Sequence, residues 1–220
     1  MDILNSFTIL IGGGTASGKS SLARLISASF SEKGINSLII PTDNYYKDLS
    51  HLPFEERTKT NFDEPNAIEH QLLISDLSRL LKGLAVNAPT YDFTTHTRLK
   101  ESTKLEPSQV IIIEGLYALY YEELRTLGNL KIYVEIPNDI ALIRRILRDT
   151  KERNRSLESI IEQYLKTVKP MYEKYILSTK KFADLVISGE NLHQALDTIM
   201  NHPKIKDYIA NFISESQSNN

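Results

Sequence analysis

A three-layer α/β domain around a mostly parallel five-stranded sheet is predicted by three features of this 220-residue chain. Short apolar runs alternate with segments of helical periodicity, the order that builds a parallel sheet covered by helices on both faces. The first apolar run, Phe7–Ile11, passes directly into Gly12-Gly13-Gly14-Thr15-Ala16-Ser17-Gly18-Lys19-Ser20. Two later runs lead to acidic residues, Asp43 and Glu114, at the C-terminal ends of strands, where open α/β sheets bind their ligands.

From Gly13 the glycine-rich stretch fits G-x-x-x-x-G-K-[S/T], the phosphate-binding loop of the P-loop NTPase and kinase fold. Its glycines let backbone N–H groups face a phosphate at the positive end of the following helix. Gly13, Gly14, Thr15, Ala16, Ser17, Gly18, Lys19, Ser20 and Ser21 are therefore the candidate nucleotide-binding residues. Lys19 would reach the β- and γ-phosphates, and Ser20 would place its hydroxyl on Mg²⁺.

Beyond the loop, Leu22, Leu25, Ile26 and Phe30 predict a helix stopped at Gly34, and Ser37–Ile40 a strand. Residues 47–60 lack a period and read as loop with a short helix. Turn chemistry at Asn61–Asn66 leads into a helix with Ile68, Leu72, Leu73, Leu77, Leu80 and Leu81 on one face, closed by Gly83. Between Pro89 and Pro107, alternating Tyr91, Phe93 and His96 ahead of a polar run predict a hairpin insertion outside the main sheet. Val110–Ile113 is a buried parallel strand, Glu122–Leu127 a helix and Leu130–Ile136 a fourth strand. Asn138 is expected to cap a helix carrying Leu142, Ile143, Ile146 and Leu147, which runs into Arg144, Arg145, Arg148, Arg153 and Arg155. This cluster predicts an arginine-bearing lid over residues 148–156. A second helix from Ser156 carries Ile160, Ile161, Tyr164, Leu165 and Val168, and Pro170 should kink or interrupt it. Leu185–Ile187 is a fifth strand and Leu192–Met200 the last core helix. One domain over residues 1–210 follows, with a polar, disordered tail over 211–220.

Composition bounds the partners. Lys+Arg of 26 against Asp+Glu of 28 leaves a net charge of −2, so neither nucleic acid nor an anionic membrane is expected to bind through a global field. The absence of cysteine excludes disulfides, thiolate metal sites and thiol nucleophiles. No run approaches the roughly 18 apolar residues of a membrane span. Met1–Leu10 lacks the basic start and cleavage site of a signal peptide, and a soluble, cytoplasmic protein is expected.

Phosphoryl transfer asks a protein to align donor and acceptor, neutralise developing charge and take a proton from the acceptor hydroxyl. Asp43 suits the last role, or a helix cap. Glu114 suits a magnesium ligand, or a solvated strand end. Arg153 and Arg155 stand where a helix breaks and can reach inward to transferring charge, whereas Arg144 and Arg148, at i and i+4, fit surface ion pairing as well as catalysis. Tyr91, Phe93 and His96 suit a flat base, or plain hairpin packing.

Gly12–Ser20, Asp43-Asn44-Tyr45-Tyr46-Lys47-Asp48, Asn61-Phe62-Asp63 with Pro65-Asn66-Ala67, Tyr91-Asp92-Phe93 with His96-Thr97-Arg98, Glu114-Gly115, Arg144-Arg145 with Arg148-Asp149, and Gln163-Tyr164 together resemble the uridine kinase family. Order and spacing match over about residues 7–187. The resemblance implies transfer of the γ-phosphoryl of ATP or GTP to the 5′-hydroxyl of uridine or cytidine, the pyrimidine salvage step. It implies Asp43 as catalytic base, with Ser20, Glu114 and Asp43 around Mg²⁺ and Lys19, Arg148 and Arg153 on the transferring charge. Asp63, Arg145 and Gln163 match residues that hold the ribose hydroxyls, Tyr46 and Arg155 others lining the nucleoside site, and Phe62, Tyr91, Phe93 and His96 a base pocket too small for purines. A homo-oligomer, commonly a tetramer, is implied as well. Two departures stand out. Glu152-Arg153-Asn154-Arg155 has asparagine where the family has glycine, and asparagine tolerates a left-handed backbone. Ser188-Gly189-Glu190-Asn191 replaces a Pro-Arg-Gly segment near the donor base, which leaves ATP against GTP open. A kinase of a sugar phosphate would favour basic rather than aromatic residues around its acceptor. A GTP-binding switch would need Asp-x-x-Gly and Asn-Lys-x-Asp, and neither occurs.

Overall fold

A computed structural model describes residues 6–218; the first half of Met1–Leu10, read above as lacking signal-peptide features, and the tail residues Asn219 and Asn220 lie outside it. The chain runs β1 (Phe7–Gly13), α1 (Lys19–Ser31), β2 (Ser37–Pro41), α2 (Phe54–Arg57), α3 (His70–Leu81), β3 (Val86–Ala88), β4 (Tyr91–Asp92), β5 (Thr97–Arg98), β6 (Thr103–Leu105), β7 (Val110–Glu114), α4 (Glu122–Thr126), β8 (Leu130–Glu135), α5 (Asn138–Glu152), α6 (Leu157–Gln163), α7 (Lys169–Met171), β9 (Leu185–Ser188), α8 (Leu192–Met200) and α9 (Pro203–Ser218). Five strands make one parallel sheet in the order β2-β7-β1-β8-β9. With β1 central, its carboxyl end opens between neighbours on both sides, the crevice where such sheets bind ligands.

Alternation along each strand fills two cores. Leu10, Ile111, Ile113 and Tyr133 face a layer with Leu73, Leu77 and Leu80 of α3 and the tyrosines Tyr117 and Tyr121. Ile9, Ile11, Ile112, Ile132 and Val134 face the other, with Leu22, Ile26 and Phe30 of α1, Ile199 of α8 and Ile205 of α9. Burial on both faces is why these strands read as unbroken apolar runs rather than as polar–apolar alternation.

Several expectations change. Ile68 is not helical: it forms an antiparallel bridge with Tyr46, and α3 starts at His70 after a 3₁₀ turn over Pro65–Ala67. The insertion is two antiparallel pairs, β3 with β6 and β4 with β5, rather than one hairpin. Asn138 is the first residue of α5, with Pro137 at the cap position and no side-chain capping bond. Around Pro170 the regular helix is interrupted as expected, but over a wider span: one α-helical turn, α7, is flanked by π-helical turns over Tyr164–Val168 and Tyr172–Ile176. The wider turns accommodate a residue without an N–H. α8 is not the last helix, and the tail expected to be disordered from 211 is helical through Ser218, because α9 buries Ile205 and packs Tyr208 at 4.9 Å from the Phe7 ring. Among the described residues no helix is long and apolar enough to cross a membrane.

Candidate active site

The loop between β1 and α1 carries its conformational demands in the sequence. Gly13 has φ 143°, and a Cβ there would run into the Val134 carbonyl oxygen. Gly18, at φ 100°, occupies the cap position of α1 without any side-chain capping bond, and no acidic residue lies in the first turn. The N–H groups and positive dipole end at Lys19, Ser20 and Ser21 are thus left to a ligand. Ala16 takes a left-handed φ of 54° in the same turn. The Lys19 ammonium donates to the Gly14 carbonyl at 2.6 Å. Its pKa is lowered by burial, against the pull of Glu114 and Asp43.

Register brings the two carboxylates to this loop. Glu114 pairs with Ile11 of β1 and Pro41 of β2, so the ends of β1, β2 and β7 meet at one level. Glu114 is 7% exposed and accepts a hydrogen bond from Ser20 Oγ at 2.8 Å. Asp43 lies in a 3₁₀ turn, Thr42–Tyr45, whose cap position is Pro41, so the capping alternative for Asp43 is not met. Burial raises the Asp43 pKa, while Lys19, Arg153 and Arg148 pull it down and Asp63 adds to the rise. Burial also raises Glu114, with Asp43 adding to it. Glu114 thus senses Asp43, and both are drawn down by Lys19, the environment in which a carboxylate is tuned towards proton acceptance.

A second constellation adjoins the loop. Arg145, 5% exposed, donates to Thr15 Oγ1 of the phosphate loop at 2.9 Å and to Gln163 Oε1 at 2.8 Å; Arg155 donates to the same Gln163 oxygen at 2.5 Å. Asp63, 8% exposed, accepts from Thr167 Oγ1 at 2.7 Å, and its backbone carbonyl accepts from the Tyr117 hydroxyl. Its pKa is raised by burial and lowered in turn by Thr167, Arg145 and Arg155.

Aromatic rings form the wall beyond. Phe62 and His96 stack at 5.3 Å and 14°, Tyr46 lies 5.1 Å from Tyr91 and 5.5 Å from Phe62, and Phe93 meets Tyr91 edge-on at 5.3 Å. His96 adopts φ 53°, and its pKa is lowered by burial and by Arg155 and Arg153, which favours the neutral imidazole. Arg98 of β5 ties the insertion to the turn after β2 by donating to the Tyr46 carbonyl at 2.7 Å and pairing with Glu69 at 2.8 Å. The Arg153 guanidinium lies 4.6 Å over the Phe93 ring, joining lid and insertion. Asn154 holds the lid turn at φ 50°, the left-handed conformation its residue type allows.

The arginines divide by partner. Arg144 donates to the Gly189 carbonyl after β9 at 2.8 Å, and Arg148 pairs with its neighbour Asp149 at 2.7 Å rather than across a helix turn. Sequence reasoning left Asp149, Thr167 and Tyr117 without roles. Asp149 was legible as one of two acids, with Glu152, amid the arginines of residues 144–155; nothing in the sequence marks Thr167 or Tyr117.

A phosphate loop sharing residues with a walled acceptor pocket, rather than facing a switch loop, makes this the fold of a P-loop kinase acting on a small molecule. The chain belongs to the phosphoribulokinase / uridine kinase family, whose model matches residues 8–194. It is similar to the uridine kinase of Clostridium novyi (strain NT), 48% identical over 92% of this chain and 97% of that one. It is also similar to the uridine kinase of Staphylococcus carnosus (strain TM300), 45% identical over 94% and 99% respectively. The phosphoribulokinase of Rhodobacter spheroides shares the fold, with a TM-score of 0.63 at 16% identity over 86% of this chain and 74% of that one.

Proposed function

We propose that this kinase transfers the γ-phosphoryl group of ATP or GTP to the 5′-hydroxyl of uridine or cytidine. One observation carries the reading: Asp63 and the Arg145–Gln163 pair, two polar anchors, stand between the phosphate loop and an aromatic wall. Such anchors suit the two ribose hydroxyls, and a site that leaves buried polar groups unpaired when one hydroxyl is missing discriminates strongly against the deoxy analogue. A pyrimidine fits beside Phe62, Tyr91, Phe93 and His96. The same wall disfavours a sugar-phosphate acceptor, whose second phosphate needs cations.

In this reading the 5′-oxygen attacks the γ-phosphorus, its proton passes to a carboxylate oxygen of Asp43, and the bridging bond to the β-phosphate breaks to release the nucleoside diphosphate. Lys19, Arg148 and Arg153 face the charge spread over the transferring group. Among the described residues no cluster of three His, Cys, Asp or Glu is suited to hold a metal by itself. Ser20, Glu114 and Asp43 nonetheless offer hard oxygens, the set that Mg²⁺ takes together with substrate phosphates. The ion, when bound with the nucleotide, supplies neutralising charge at the β- and γ-oxygens.

The test is a panel of ATP or GTP with Mg²⁺ against uridine, cytidine, deoxyuridine, adenosine and ribulose 5-phosphate, with products identified by mass. Uridine and cytidine monophosphates are expected, with deoxyuridine poor and adenosine inert. Product from ribulose 5-phosphate alone would overturn the reading.

A further inference from the structure

We infer that Asp149 is a positioning residue that yokes the guanidinium groups on the phosphoryl donor to those on the acceptor; the inference rests on the function proposed above. Asp149 lies in the last turns of α5 and is 0% exposed. Oδ1 receives Arg148 Nε at 2.8 Å and Nη2 at 2.7 Å, and lies 3.8 Å from Arg153 Nη1. Oδ2 lies 3.6 Å from Arg145 Nε and 3.7 Å from Arg155 Nη1. The two oxygens thus sort the four arginines. One faces the pair assigned to transferring charge, and the other faces the pair that shares Gln163 and, through Arg145, Thr15 of the phosphate loop. The backbone joins in, since the Asp149 carbonyl accepts from the Arg153 and Arg155 N–H groups, both at 3.2 Å, and so shapes the lid turn.

The arrangement is poor as a stability device. Oδ2 of Asp149 and Nε of Arg145 are buried with no hydrogen-bond partner among the described residues, and a buried charge lacking its full set of hydrogen bonds is costly. With Asp43 and Asp63 beside the same side chains, three carboxylates face four guanidiniums, which still leaves an excess of positive charge. That excess is what a polyphosphate would neutralise. Arg145 and Arg155 stand at ion-pair distance from Asp149 and donate to Thr15, Gln163 and Ser159, so the carboxylate works with these acceptors to fix the direction of each guanidinium. Because both pairs lean on one carboxylate, filling one subsite presets the other.

The experiment compares wild type, Asp149→Asn and Asp149→Glu in full-length protein, by steady-state kinetics with Mg²⁺, ATP and uridine. Calorimetry then measures uridine binding with and without a non-hydrolysable ATP analogue. Wild type is expected to bind uridine severalfold more tightly when the analogue is present. Asp149→Asn should retain its circular dichroism, lose that coupling, and fall about 100-fold in kcat, the effect of an ångström-scale misplacement. Asp149→Glu, which keeps the charge, should keep the coupling while losing roughly tenfold in kcat. Wild-type coupling and kcat in Asp149→Asn would overturn the inference, as would a wild type without coupling. Should Asp149→Asn fail to fold, Asp149→Glu decides, an unchanged kcat counting against the inference. A wild type that binds the analogue but neither binds nor phosphorylates uridine would instead sink the proposed function. The Asp149 inference would then stand on analogue affinity, expected about tenfold weaker in Asp149→Asn, and fall if that affinity were unchanged.

Discussion

At the scale of single residues, the site is a set of carboxylates kept from water and answered by cations placed one element away. Asp43 shows the logic: burial lifts its pKa, while Lys19, Arg153 and Arg148 keep the ionised form accessible. A carboxyl group so placed holds its proton to a higher pH than a free aspartate does. We predict that Asp43→Asn lowers kcat by about three orders of magnitude, the span of general-base contributions, with the KM for the donor nearly unchanged. In wild type the acid limb of kcat should lie above the ordinary aspartate range, and residual kcat of the variant should lack that limb. A variant with full kcat would remove Asp43 as the base. Asp43, Glu114 and Lys19 were legible because a strand end or a glycine motif marks each. Thr167 was not, because a threonine inside a helical run gives no signal until another segment's aspartate is packed against it.

At the scale of elements, the helix after the lid departs most from its sequence reading and matters most to the acceptor pocket. Periodicity from Ser156 onwards predicts a regular helix broken near Pro170, whereas the chain passes into π-helical turns on either side of it. Periodicity counts apolar residues and is blind to the number of residues per turn where a proline removes a donor. Thr167 in the first π turn follows Gln163, the last residue of α6, by four residues, and this continuous helical stretch offers a hydroxyl to Asp63 and an amide oxygen to Arg145 and Arg155. Thr167→Val keeps the shape and removes the hydroxyl. Because the Thr167 bond lowers an Asp63 pKa that burial raises, its loss moves that pKa further up, and the ionised Asp63 is reached only at higher pH. We expect the nucleoside KM to rise roughly tenfold, the scale of one hydrogen bond to a charge, with the donor KM unchanged and the acid limb of nucleoside kcat/KM displaced upward. Equal effects on both KM values would show that the turn supports the fold rather than Asp63. The insertion was legible as a site element but not as two strand pairs, since Arg98, which ties it to the Tyr46 turn, acts through tertiary contacts.

At the scale of the whole molecule, the three central strands β1, β7 and β8 were legible because burial on both faces leaves continuous apolar runs, and the partly exposed edge strands β2 and β9 were legible from shorter runs, Leu38–Ile40 and Leu185–Ile187. α9 was missed because its polar composition hides the few side chains, Ile205 and Tyr208 among them, that seat it on the core. What the sheet supports is a pocket that works against stability. Asp43, Asp63 and Glu114 all have pKa values raised by burial, so the folded chain keeps protons that the unfolded chain has released. In the window from the ordinary carboxylate pKa up to each raised value the folded state binds more protons, and stability falls as pH rises; above the window the cost persists. Glu114→Gln removes that cost for one group while deleting the carboxylate proposed above to help hold the nucleotide's Mg²⁺. Without ligand, the variant's Tm at pH 7 is expected to exceed that of wild type by a few degrees, at about 2–4 °C per kcal/mol for a chain of this size. The difference should shrink as pH is lowered towards 4, where the wild-type carboxyl is protonated. The rise in Tm produced by Mg²⁺ and nucleotide together, a mass-action effect of binding to the folded state, should be smaller in the variant than in wild type. Differential scanning fluorimetry across pH, with and without ligand, measures all three. A variant that melts lower than wild type at pH 7 would mean that the Lys19 and Ser20 partnerships outweigh burial of Glu114, and that the pocket is not a reservoir of destabilising charge.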